Sequence, residues 1–176
     1  MKVKIILSLL VFSIALCSYA QGKGNDSSGR RYISLEYLVA GEGNSNLNKT
    51  DFALNDFMVK VGYQFKNKIS LYIPITQSLA KENLCTTRNY SDQTLLGLGT
   101  EYEINTKQNS FLLDLYVSST IRQAQQKYMT ATFMVKVASL RNASTTIGIG
   151  LIYNKPYTNT LEDRFLLGFS WGCRIF

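Results

Sequence analysis

The amino-acid sequence predicts an all-β fold, an eight-stranded antiparallel up-and-down transmembrane β-barrel that follows a cleaved signal peptide. Three observations predict it. The chain begins with an export signal, eight later segments alternate apolar and polar residues, and short and long connections alternate between those segments. An exported chain without a spanning helix is either soluble or a barrel.

The first twenty residues have the layout of a secretory signal peptide. Lys2 and Lys4 form a basic start, and residues 5–16 form an apolar run. Residues 18–20 (SYA) form a small-residue cleavage pattern. The run is shorter than the roughly 20 apolar residues that a spanning helix needs, so a membrane anchor is the weaker alternative. Cys17 leaves a lipoprotein signal open as a further alternative.

Three parts of the chain are expected. Residues 1–20 are the signal peptide, residues 21–30 are a flexible periplasmic leader rich in Gly, Ser, Asn and Asp, and residues 31–176 form the barrel. The net charge is +7, and the chain contains no histidine. The length suits one domain.

The predicted strands are segments in which side chains alternate with the period of two that a β-strand gives. They cover residues 33–39, 57–65, 69–76, 96–104, 111–118, 133–138, 146–153 and 165–175. The predicted short connections are residues 66–68, 105–109 and 141–144, and the long ones are residues 41–54, 80–93, 122–129 and 154–163. This alternation is typical of membrane barrels, which have tight periplasmic turns and longer outer loops.

The two faces of the predicted strands differ in charge. One face is apolar on all eight strands, and the other carries the charged residues Glu36, Lys60, Glu101, Glu103, Asp114, Lys136 and Arg174. We expect the apolar face to point outward to lipid, as in membrane barrels. In a soluble barrel the apolar face would instead line a ligand cavity, and that alternative stays open from the sequence.

Aromatic residues and glycines support the same assignment. Aromatic residues on the apolar face are predicted to form two girdles, one at the loop ends (Tyr37, Phe57, Phe133, Tyr153, Phe165) and one at the turn ends (Tyr63, Phe65, Tyr102, Phe111). The strand glycines are predicted to lie on the interior face, where they leave space for long charged neighbours: Gly62, Gly97, Gly99, Gly148, Gly150, Gly168 and Gly172.

With its signal peptide, eight alternating strands and closing segment 168–176 (GFSWGCRIF), the chain resembles the small OmpA/OmpX-type outer-membrane β-barrels. The resemblance implies location in a bacterial outer membrane. It also implies that Trp171 and Phe176 belong to the insertion signal that the barrel assembly machinery reads. In that family the residues two, four and six before the final aromatic are apolar, whereas here they are polar or glycine. A bulge or a frayed end near Ile175 is therefore expected.

The interior charges are the candidate site, which we name the lumen charge network. Glu36 and Lys60 are expected at similar heights on adjacent strands, and so are Asp114 and Lys136, with Glu101 beside Asp114. Opposite charges inside a narrow barrel can pair and block it, so a structural plug is the first interpretation. A gated ion path or a proton-linked switch is the alternative.

The sequence argues against an enzyme. Membrane-barrel hydrolases and acyltransferases typically use a histidine base, and the chain has none. Glu101 and Glu103 share one strand face and are the remaining candidates for acid–base chemistry. No cofactor, no metal and no nucleic acid is expected as a ligand, and we expect a monomer.

Basic residues are predicted on the long-loop side. They could contact anionic lipopolysaccharide or simply be solvated; they are Lys49, Lys81, Arg88, Arg122, Lys127, Lys155 and Arg164. Cys85 and Cys173 are predicted at opposite ends of the barrel, beyond the ~7 Å that a disulfide allows between Cα atoms.

The function expected from the sequence is that of a non-enzymatic integral outer-membrane barrel with a structural role or a role in interaction or adhesion through its loops. Three alternatives remain: a secreted soluble barrel that binds a small apolar ligand, an accessory barrel of an outer-membrane secretion or assembly complex, and a small ion channel. The loop partner is not identified.

Overall fold

The computed structural model describes residues 29–42, 51–65, 68–84, 87–105, 109–121, 127–139, 144–157 and 163–175. The signal peptide and nearly all of the leader lie outside these residues and stay predictions. Across the described ranges, no helix has the length and apolar character needed to span a membrane.

Eight antiparallel strands form a closed barrel in chain order, which confirms the predicted eight-stranded up-and-down topology. The barrel closes where β1 pairs with β8, from Ile33 opposite Ile175 to Gly41 opposite Leu167. The strands are β1 (Arg30–Gly41), β2 (Asp51–Gln64), β3 (Ile69–Leu84), β4 (Thr87–Asn105), β5 (Asn109–Thr120), β6 (Tyr128–Ser139), β7 (Ser144–Pro156) and β8 (Arg164–Ile175).

The alternating sequence explains which way each side chain points. Along β8, buried and exposed residues alternate nearly without exception. The exposed set is apolar: Leu98 is 73 % exposed and Ile149 is 67 % exposed. The buried set includes charged residues, among them Lys60 and Lys136. The polarity of the barrel is therefore the reverse of that in a soluble globular protein.

The strands are staggered around the barrel. A circuit through directly paired residues leaves β1 at Arg31 and returns to β1 at Gly41, a stagger of ten residues; it passes through Tyr63, Leu71, Thr100, Leu115, Phe133, Leu151 and Leu167. The tilt of the strands follows from the ratio of two lengths: ten residue steps of ~3.3 Å along a strand, and eight strand spacings of ~4.8 Å around the barrel. This ratio gives a tilt of about 40° from the barrel axis. Side chains far apart in sequence can thus share one height in the lumen.

The prediction of a long connection over residues 80–93 is wrong. β3 continues to Leu84 and β4 begins at Thr87, with these two residues paired. Polar residues replace apolar ones in this part, so the apolar pattern fades although the backbone pairing continues. β2, β6 and β7 also extend further into the predicted long connections, which now span residues 42–50, 121–127 and 157–163.

Two further expectations concern the end of β8 and the aromatic girdles. β8 pairs with β1 in unbroken register up to Ile175, so the described part of β8 contains no bulge; Phe176 lies outside the described residues. In the loop-side aromatic group, Tyr37, Phe57 and Phe133 lie deeper than predicted, because the strands extend beyond them. All nine aromatics of the two predicted girdles occupy outward positions.

Candidate functional site in the barrel lumen

The structure brings six of the seven predicted residues of the lumen charge network together. Glu101 and Asp114 are directly paired across β4 and β5. The other four reach the same height because the strands are tilted and staggered. We call the six together the charge cluster: Glu36, Lys60, Glu101, Asp114, Lys136 and Arg174. Each is at most 6 % exposed.

Lys60 lies at the centre of the charge cluster. Its Nζ atom is 2.6 Å from Oδ2 of Asp114 and 3.0 Å from Oε1 of Glu36. It is also 3.3 Å from Oε1 of Glu101. Three carboxylates therefore surround one ammonium group, which matches its three donors.

Lys136 approaches the same carboxylates from the other side. Its Nζ atom is 2.6 Å from Oε2 of Glu36 and 2.6 Å from Oδ2 of Asp114. Arg174 donates through Nη2 to Oε2 of Glu101. Asp114 and Glu36 therefore each bridge both lysines, and the cluster forms one connected network.

The charges of the cluster balance, with three carboxylates against three cations. Glu36, Glu101 and Asp114 place carboxylate oxygens within 4.8 Å of one another, a spacing that could hold a metal ion. The ammonium groups of Lys60 and Lys136 already lie among those oxygens and match their charge. The arrangement therefore suits an internal salt-bridge network rather than a cation site.

Tyrosine rings surround the cluster on the same interior face. The Lys60 ammonium lies 4.5 Å from the ring centre of Tyr72, whose hydroxyl donates to Oδ1 of Asp114. The Arg174 guanidinium lies 4.2 Å from the ring centre of Tyr32. These rings provide cation–π contacts and replace part of the water that the charges have lost.

The seventh predicted residue, Glu103, lies outside the cluster. It is half-buried, and its Oε2 accepts a hydrogen bond from Nε2 of Gln64 at 2.5 Å. Glu101, by contrast, is held by Lys60 and Arg174. The pair Glu101 and Glu103, the candidates for acid–base chemistry, thus contact different groups.

Glycines make room for the long side chains of the network. A Cβ atom on Gly99 would lie 2.2 Å from the Tyr72 ring, and one on Gly172 would lie 2.5 Å from Cγ of Glu36. Both distances are too short for van der Waals contact, so these positions exclude any larger residue without displacement. The seven glycines predicted on the interior face all lie at interior positions of their strands.

Gly99→Ala should lower the free energy of unfolding by about 1–3 kcal/mol. The added methyl group would push Tyr72 away from Asp114. Denaturant unfolding of the refolded barrel measures the loss. Thr100→Val, at the next and outward position of β4, is the matched control, for which we expect a change below about 0.5 kcal/mol. Equal stability of Gly99→Ala and the native chain would contradict this packing.

The loop-side half of the lumen contains a cluster of apolar side chains among buried polar ones such as Ser78, Gln93 and Asn154, a feature that the sequence analysis did not foresee. A cluster of buried side chains lies between the charge cluster and the long connections, and we call it the apolar seal: Leu38, Ala40, Phe52, Leu54, Ala80, Leu95, Tyr128, Met134, Ile152 and Leu166. None is more than 5 % exposed. The charge cluster and the apolar seal together fill two successive levels of the lumen.

Asp56 is a buried carboxyl group that the sequence analysis missed. It lies on β2 opposite Leu38 of β1 and Ser78 of β3, and is 7 % exposed. Ser78 donates a hydrogen bond to its carboxyl group, but the Oδ1 atom has no hydrogen-bond partner, and none of the described lysines or arginines forms an ion pair with it. It shares the interior face with Met58 and Lys60, so extending the alternation of β2 by one step would have identified it.

Asp56→Asn should raise the free energy of unfolding by about 1–2 kcal/mol at pH 8, because a neutral amide of the same shape loses less on burial than a carboxylate without a cation. Equilibrium unfolding in urea measures the change. Asp92→Asn, at an exposed position, should leave stability within about 0.5 kcal/mol. A destabilised Asp56→Asn protein would mean that the hydrogen bond from Ser78 outweighs the cost of burying the carboxylate, and would contradict the prediction.

No protein-family model, curated protein or solved structure matches this chain. The eight-stranded antiparallel barrel is therefore established by its strand pairing alone. Cys85 lies outside the described residues, so the expectation that it does not pair with Cys173 stays a prediction. Cys173 lies at an outward position near the turn-side end of β8.

Proposed function

We propose that this protein is an integral outer-membrane β-barrel without enzymatic activity, whose rigid, filled lumen supports the long connections for interaction with partners outside the cell. The observation that carries the proposal is the reversed polarity of the barrel, apolar outside and charged inside. That arrangement is favourable in lipid and costly in water.

The height of the apolar exterior supports the proposal. The outward column of β8 is Phe165, Leu167, Phe169, Trp171, Cys173 and Ile175. Its ten residue steps of ~3.3 Å, tilted by about 40°, rise about 25 Å along the barrel axis. This matches the apolar band of about 25 Å on outer-membrane barrels. Unpaired strand edges, which lipid could not satisfy, are avoided because the barrel is closed.

The contents of the lumen favour a structural role over transport. Side chains of the charge cluster and the apolar seal are buried at two successive heights. An ion crossing the barrel would have to break several ion pairs of Lys60 and Lys136 and then pass apolar residues. An eight-stranded lumen is already narrow. The charge cluster therefore serves best as a plug that fixes the barrel shape.

The same polarity argues against the soluble alternative. A soluble barrel that binds an apolar ligand would present polar residues to water and apolar residues to its cavity. Here the large exposed side chains on the outside of the barrel are apolar, while the interior holds the charges. An accessory role in a larger envelope complex is compatible with the proposal and would appear as co-purification with that complex.

Membrane fractionation tests the proposal. The protein should remain in the outer-membrane fraction after washing with urea, and should migrate differently on gels before and after boiling, as folded membrane barrels do. Release of the native protein by urea would contradict membrane insertion. Retention of the protein without a mobility change would place it on the membrane rather than in it.

A further inference from the structure

Two lysines face outward from neighbouring strands at the loop-side rim. Lys155 lies on β7, and Lys127 immediately precedes β6. The backbone N–H of Tyr157 donates to the carbonyl oxygen of Lys127 at 2.8 Å, which extends the β6–β7 pairing beyond the strand ends. Lys155 pairs with Met129, so the two lysines are diagonal neighbours on one face. Such neighbours have Cα atoms about 7–8 Å apart.

Both lysines lie directly above the apolar exterior. The outward residues of β7 are Ile147, Ile149 and Leu151, followed by Tyr153 and then Lys155. Those of β6 ascend in the same way from valine and phenylalanine to Met129 and Lys127. If the apolar residues lie in lipid, both ammonium groups reach the level of the lipid headgroups.

The charges at this rim are only partly compensated. Neither Lys127 nor Lys155 forms an ion pair with a described residue. Of the carboxylates that the structure describes, that of Asp163 lies close by and accepts a hydrogen bond from the Tyr153 hydroxyl. The Tyr157 hydroxyl is in hydrogen-bond contact with Oγ of Ser119 on β5 at 2.8 Å. Two neighbouring ammonium groups suit a phosphate group.

We propose that Lys127 and Lys155 bind the phosphate groups of anionic lipids in the leaflet that the long connections face. This inference rests on the proposed membrane location and adds a defined lipid contact to it. The contact would fix the rotation and depth of the barrel on the β6–β7 side. The negative charge of Asp163 weakens the binding of phosphate at this site. A substitution that removes this charge should therefore strengthen the binding.

The test uses the full chain, refolded in a neutral detergent, and a bisphosphorylated glucosamine-disaccharide lipid as the probe. Native mass spectrometry measures the bound lipid. The double variant Lys127→Gln/Lys155→Gln should bind the lipid at least tenfold more weakly, and each single variant about fivefold more weakly. Asp163→Asn should bind it more tightly. Lys68→Gln, at a turn on the opposite end of the barrel, is the matched control and should bind as the native chain does.

Unchanged binding by the double variant would overturn the proposal. Inorganic phosphate in hundredfold excess should not displace the lipid, whereas full displacement would show that phosphate alone is the ligand and would overturn the lipid assignment. Each variant is first shown to be folded by its mobility difference between boiled and unboiled samples. A chain that is soluble and folded without detergent would instead refute the membrane location, so the two failures are distinguishable.

Discussion

Lys60→Met should lower the free energy of unfolding by about 3–5 kcal/mol, because it removes one member of a buried ion-pair network and leaves its partners uncompensated. Lys60 is 0 % exposed and contacts Glu36, Glu101 and Asp114. After its removal, three buried carboxylates face only two cations. Equilibrium unfolding in urea, followed by tryptophan fluorescence, measures the loss.

Two further variants make the Lys60→Met result specific to the charge balance. Lys68→Met removes an exposed lysine at a turn and should change stability by less than about 0.5 kcal/mol. Lys60→Met combined with Asp114→Asn restores equal numbers of opposite charges and should recover part of the lost stability. Unaltered stability of Lys60→Met, or a further loss in the double variant, would contradict the plug. Lys136→Met should also lower the free energy of unfolding, as Lys60→Met does.

Leu98→Lys should lower the stability of the barrel in vesicles by about 2–4 kcal/mol, because it places a charge on the apolar exterior near mid-height. Leu98 is 73 % exposed and lies between Leu96 and Thr100 on the outward face of β4. The yield of folded protein in phosphatidylcholine vesicles, and its unfolding in urea, measure the effect. In a soluble barrel the same substitution would be harmless.

The matched control moves the same charge to the rim. Ile121 is also outward and exposed, and it follows directly after the loop-side end of β5. Ile121→Lys should cost about 0–1 kcal/mol, since lysine near the interface reaches water. A similar loss of stability from both substitutions would mean that a charge costs the same at the middle of the barrel as at its rim. That result is expected for a barrel in water and would contradict insertion in lipid.

Much of the fold could be predicted from the sequence because the period of two is unambiguous where one face is apolar. Residues 33–37 and 146–151 show strict alternation, and both fall within observed strands. The pattern fails where both faces become polar. Residues 80–84 and 87–93 continue β3 and β4 by backbone pairing, which side-chain polarity does not report.

The candidate site was only partly predictable. Alternation alone places Lys60 and Lys136 in the interior. Their meeting with Glu36 depends on the ten-residue stagger, which no local pattern encodes. Asp56 was missed because the apolar segment that marked its strand began one residue later. The apolar seal was missed because its residues lie on the interior face, which the charged residues marked as polar. The apolar seal lies on that face at a different height from the charges.

Trp171 offers the most direct test of the central claim that the apolar exterior contacts lipid. It is the only tryptophan in the chain, and it lies outward near the middle of the β8 column. In vesicles whose acyl chains carry bromine, its fluorescence should be strongly quenched, while acrylamide in the water should have little effect. Quenching by acrylamide and not by brominated lipid would contradict the account.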